Sequence, residues 1–114
     1  MLRTVLRMTV RAGCTEEFRE AWSRTARVAA TLPGSLAQAL LSDPADPAVH
    51  LIMADWADKA SLDAFQNSAH RHELSAQLDR FRESAEKSVL DVVAYVPAAA
   101  PAGSALGTFS RTTE

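Results

Sequence analysis

The chain has 114 residues, 47% apolar and 23% charged, which fits one folded domain and excludes a large multi-site enzyme. Twelve Lys and Arg against 14 Asp and Glu, well interspersed, give a formal net charge of -2 and argue against a nucleic-acid binder. A single cysteine, Cys14, excludes an intramolecular disulfide framework, and polar residues interrupt every apolar run, so neither an export signal nor a membrane span is expected.

Alternation from Leu2 to Val10 predicts a first strand, with Leu2, Thr4, Leu6, Met8 and Val10 on one side and Arg3, Val5 and Arg7 on the other. After a turn at Gly13, Thr15 is the expected N-cap of a helix whose inward stripe reads Phe18, Trp22, Thr25, Ala29 and Leu32, with Arg19 outside it. Pro33-Gly34 ends that helix. Ser35 to Ser42 and Val49 to Trp56 read as two strands joined by a turn carrying Pro44 and Pro47. Asp58 is the expected cap of a short helix through Leu62 and Phe65, and Ser68 that of a second, striped by Leu74, Leu78, Phe81 and Ala85. Ser88 to Val96, rich in Val, reads as the closing strand.

The order βαββαβ over residues 1–96 predicts a ferredoxin-like α+β sandwich, with both helices on one face of an antiparallel sheet and the other face awaiting a partner. The tail 97–114 has too few apolar groups to order alone and is expected to be disordered or draped over a second subunit. Cytoplasm is the expected compartment.

The run of elements, the third strand ending Ala54-Asp55-Trp56, the Ser61-Leu62-Asp63-Ala64-Phe65 helix and the segment Ser68-Ala69-His70-Arg71-His72 resemble the antibiotic biosynthesis monooxygenase family over residues 2 to 96. The opening Thr4-Val5-Leu6-Arg7-Met8 with Arg11-Ala12-Gly13 is similar to small members from aromatic polyketide and spore-pigment pathways. The resemblance implies a homodimer whose sheets form an α+β barrel. It also implies oxidation of an anthrone or phenol to a quinone with O₂ and without metal, flavin or haem. A deprotonated electron-rich aromatic can itself donate an electron to O₂, so the protein supplies a base, a group for developing oxyanion charge and an apolar enclosure. A polyketide cyclase of the same fold and a non-catalytic polyketide-binding or accessory protein are the alternatives; a haem-degrading relative lacks a suitable histidine. One family pattern has an asparagine four residues before the strand-three tryptophan and a tyrosine six after it. Here those positions are Ile52 and Leu62.

The candidate catalytic residues are His70 and Trp56. His70 is read as inward, on the face of Leu74, Leu78 and Phe81, and is the best general base near neutral pH; the alternative is a structural histidine at a helix start. Trp56 is read as an aromatic wall donating through its indole N–H, or as a core residue at a strand end. Gln77, Trp22 and Phe65 join Trp56 as candidate substrate-binding residues, Gln77 for a carbonyl or hydroxyl and Trp22 for core or pocket floor. His72 is expected to be exposed. His50 has no ligand partner nearby in sequence, so no metal site is expected. Arg3 and Arg7 are expected at the dimer rim, paired with a carboxylate such as Asp91, and Cys14 lacks an activating base.

Overall fold

In the computed structural model, which describes residues 1–99, the elements run β1 (Leu2–Val10), α1 (Thr15–Ala29), β2 (Ser35–Asp43), β3 (Asp46–Trp56), α2 (Lys59–Gln66), α3 (Ala69–Asp79) and β4 (Arg82–Asp91). The four strands form one antiparallel sheet in the order β2-β3-β1-β4, the ferredoxin-like α+β arrangement read from the sequence. No helix among the described residues is long and apolar enough to cross a membrane. The sequence reading of 97–114 lies outside the described residues from position 100 on, and residues 92–99 form no strand.

The alternation of β1 sets the two faces. Thr4, Met8 and Val10 are buried and face the helices, whereas Arg3, Val5 and Arg7 face the other way. Register carries this across the sheet: Leu6 lies opposite Ile52 of β3 and Lys87 of β4, and Leu40 of β2 opposite Ile52, so these four make one row on the helix side. Met8, Val10, Phe18, Ala21 and Leu78 form the main core beneath α1 and α3. A second cluster of Ala54, Trp56 and Leu62, with Leu2, Leu32 and Phe65 against it, sits at the other end.

Several element ends differ from the sequence reading: α1 stops at Ala29, before Leu32 and Pro33-Gly34, and β3 starts at Asp46 rather than Val49. Thr15 is the first helical residue rather than the cap: the Phe18 N–H donates to the Cys14 carbonyl at 2.9 Å, and Cys14 stands at the cap without a side-chain bond. The last helix stops at Asp79, so Phe81 and Ala85 leave its stripe. Phe81 N–H closes on the Leu78 carbonyl at 2.9 Å, and its own carbonyl accepts from Arg11 N–H at 2.8 Å, which starts the pairing of β4 with β1. The closing strand is therefore Arg82–Asp91 and not Ser88 to Val96. Leu2 pairs with Asp91 and Val92 N–H donates to the Met1 carbonyl at 2.9 Å, and the described residues beyond pair with no strand.

Arg3 does not pair with Asp91. Its Nε and Nη2 donate to Oδ1 and Oδ2 of Asp55 at 2.7 and 3.0 Å, directly across the β1–β3 ladder. This bidentate bond, opposed in part by desolvation, raises the Arg3 pKa further.

Candidate functional site

A cleft opens between the helix side of the sheet and the three helices. It holds about 70 Å³ and opens to solvent. The floor is the sheet row just described, Leu6, Ile52 and Lys87, with Gln38, Ala54 and Thr4 beside it. Trp22 and Thr25 of α1 and Phe65 and Gln66 of α2 form two walls, and Arg71, Leu74, Ser75 and Leu78 of α3 a third.

Two capped helix starts position the outer wall. Asp58 accepts from Ser61 N–H at 2.8 Å and Ser68 from Arg71 N–H at 3.2 Å, as the sequence suggests. Ser68 also donates to the Phe65 carbonyl at 2.6 Å, so one hydroxyl ties the end of α2 to the start of α3. The cap at Ser68 gives α3 its own phase: Arg71, Leu74, Ser75 and Leu78, at i, i+3, i+4 and i+7, face the cleft.

His70 does not face the sheet. It precedes the inward stripe by one residue, is exposed, and lies in an adjoining cleft of about 190 Å³ between α1 and α3. Gln77 lines that outer cleft too, with Arg24, Val28 and Glu73, while Thr25, Ala29, Phe65 and Leu74 belong to both clefts. His72 is exposed, as expected. Trp56 does not line the main cleft either. It is 1% exposed and stacks on Phe65 with ring centroids 5.0 Å apart at 27°, so it backs the wall that Phe65 presents. Its indole N–H has no hydrogen-bond partner among the described residues. Trp22 combines both of its expected roles, packing on the main core and lining the cleft, and Phe65 lines it directly.

Ile52 and Leu62, where one family pattern carries asparagine and tyrosine, both line the cleft. The polar groups there are instead Thr4, Thr25, Gln38, Gln66, Ser75, Arg71, Arg82 and Lys87, with no carboxylate lining the cleft among the described residues. Arg82 is paired with Asp79 at 2.7 Å. Arg71 and Lys87 have no ion pair among the described residues. Desolvation, and then the Arg71 cation, lower the Lys87 pKa below its ordinary 10.5. Sequence reasoning missed both cations. The register of β4 against Leu6 and the phase set by Ser68 were the signals that could have revealed them.

His50 is fully buried. Its Nε2 accepts from Arg19 Nε at 3.1 Å, so Arg19 is not the purely outward residue expected, and the imidazole meets Phe18 edge-on with centroids 5.4 Å apart. No group of three or more His, Cys, Asp or Glu side chains among the described residues could hold a metal ion.

A sequence-family model described as antibiotic biosynthesis monooxygenase matches residues 1–77. No curated protein matches the chain. Among solved structures, SnoaB, a cofactor-independent oxygenase from Streptomyces nogalater, superposes with a TM-score of 0.76 at 22% identity, covering 85% of this chain and 97% of that one. A candidate antibiotic biosynthesis monooxygenase from Nitrosomonas europaea gives 0.75 at 18% identity, covering 82% and 100%. A conserved protein from Methanosarcina mazei Go1 gives 0.73 at 19%, covering 78% and 89%. At these identities the structural likenesses establish the fold.

Proposed function

The chain belongs to the antibiotic biosynthesis monooxygenase family, and from that premise we propose that it oxidises an aromatic polyketide of anthrone or phenol type to a quinone with O₂, in antibiotic or pigment biosynthesis. The observation that carries this reading is the cleft: aromatic walls from Trp22 and Phe65, aliphatic Leu6 and Ile52 in the floor, and polar and cationic groups around them. Such an enclosure suits a flat, hydrophobic, ionisable ligand and keeps water from the reacting carbon.

The reaction needs no group beyond the substrate and O₂. Loss of a proton gives a carbanion or phenolate rich enough to reduce O₂ by one electron; recombination and loss of water turn a CH₂ into C=O. The protein's part is to take the proton, hold the anion and enclose the pair. His70 and Gln77, in the outer cleft that shares Phe65 and Leu74 with the inner one, are the groups proposed to exchange that proton and bind a substrate oxygen near the mouth. Trp56 serves by holding Phe65. The enzyme is proposed to work as a homodimer through the sheet face that carries Val5, Leu51 and Met53.

A second reading, a polyketide-binding protein without turnover, is favoured by the apolar Ile52 and Leu62 in the cleft. O₂ consumption and the quinone spectrum, followed with metal-free protein and a model anthrone, separate the two. Protein-dependent uptake that drops about tenfold or more in Phe65→Ala and in His70→Ala is expected. Saturable ligand quenching of tryptophan fluorescence with uptake no faster than autoxidation would leave the binding protein or a cyclase.

A further inference from the structure

Arg71 and Lys87 reach the cleft from opposite sides. Arg71 comes from the inward stripe of α3, and Lys87 from the helix side of the edge strand β4, opposite Leu6. They are close enough for the arginine to disfavour the charged lysine. No carboxylate lines the cleft among the described residues, and the third lining cation, Arg82, already holds Asp79. Lys87 is exposed at the edge strand and Arg71 is half-buried; with no counter-ion among the described residues the two like charges oppose each other, a repulsion that a bound anion would relieve. Gln38, Gln66 and Ser75, which also line the cleft, are neutral and cannot supply it.

We propose that Arg71 and Lys87 form a two-cation subsite for the ionised oxygen of an aromatic ligand, so that the cleft takes the phenolate or enolate form in preference to the neutral one. The inference rests on reading this cleft as the substrate site. It deepens that reading by giving the ligand an orientation, with the charged oxygen at the α3–β4 end and the rings against Trp22 and Phe65. It also supplies a role that the apolar Ile52 and Leu62 cannot fill. An anion held between a guanidinium and an ammonium forms charge-assisted hydrogen bonds, and the guanidinium keeps its charge at any working pH.

The test uses 4-nitrophenol, whose ionised form absorbs visible light, and 4-nitroanisole as a neutral analogue of similar shape. A pH titration of the chromophore with saturating protein is expected to show bound nitrophenol ionising at least about one pH unit lower than free, a tenfold preference for the anion. Lys87→Met and Arg71→Met should each reduce that preference about tenfold. Lys87→Arg should retain it, and Arg27→Gln, which removes an exposed charge at the end of α1, should leave it unchanged. Circular dichroism of each variant shows whether the fold is intact, and the charge-retaining variant separates loss of charge from loss of structure. Equal affinity for nitroanisole and nitrophenolate, no binding of either, or an unchanged preference in Lys87→Met with the fold intact would overturn the subsite. The oxygenase reading fails separately: anion preference without O₂ uptake keeps the subsite and removes the reaction, whereas uptake without anion preference does the reverse.

Discussion

The buried imidazole of His50 is held neutral by its surroundings. Desolvation is the largest cause of its lowered pKa and the Arg19 cation adds to it; the Ala48 backbone pulls the other way but makes no well-formed hydrogen bond to Nδ1. In the unfolded chain the imidazole takes up its proton near 6.5, and in the folded chain only at lower pH. Between those two values the unfolded state binds more protons, so stability is full above about pH 6.5 and is lost as pH falls toward the lowered folded value. Urea denaturation at a series of pH values should show that loss, and His50→Phe, which keeps an aromatic ring against Phe18, should flatten it. A parent midpoint that does not move across the window would exclude the effect. None of this was legible in the sequence, because Arg19 and His50 belong to different elements and meet only when α1 lies on β3. The same limit explains His70. The stripe through Leu74 and Leu78 was readable, but a one-residue error in phase rotates a helical side chain by about 100°, enough to exchange His70 for Arg71 at the cleft.

Gly34 shows what an element boundary demands. It follows Pro33 in the turn between α1 and β2 and has φ +83°, and a Cβ there would collide with the Ser61 side chain in the first turn of α2. Its carbonyl also accepts from Ala57 N–H at 2.8 Å, so the turn after α1 is fastened to the end of β3 beside Trp56. Gly34→Ala should therefore destabilise by roughly 2 kcal/mol or more, from the left-handed backbone and the clash together. The paired Gly13→Ala is the comparison: it has a similar φ of +79° but open space around it, so it should cost less. Equal denaturation midpoints for the two variants would remove the clash from the account. Boundaries fixed by such local chemistry were readable at the Pro33-Gly34 turn before β2, Asp58 and Ser68, although α1 itself ends earlier, at Ala29. The start of β4 was not, since Arg82-Glu83-Ser84-Ala85-Glu86-Lys87 has little strand propensity and becomes a strand because β1 offers an unpaired edge there.

At the scale of the whole molecule, the described helices cover one side of the sheet only. Its other face runs from Ala37, Ala39 and Leu41 on β2 through Leu51, Met53 and Asp55 on β3 to Arg3, Val5 and Arg7 on β1. Met53 is central, lying between Val5 on one neighbour and Ala39 on the other, and Leu41 stays exposed at the β2 edge. On this face the ion pair of Arg3 with Asp55 satisfies the carboxylate in place, so the face presents no bare carboxylate at that point. A second copy of the same face would bury the apolar row without exposing the cleft, which opens on the opposite side of the sheet. Multi-angle light scattering over a range of concentrations should accordingly give twice the chain mass for the parent. Met53→Asp, which sets a charge at the centre of that face, should give the single-chain mass with an unchanged circular dichroism spectrum. Its thermal midpoint should no longer rise with protein concentration, as the parent's should if folding and pairing are linked. A parent monomeric at every concentration would dismiss the pairing, and the cleft would then have to act with one face of its own floor in water.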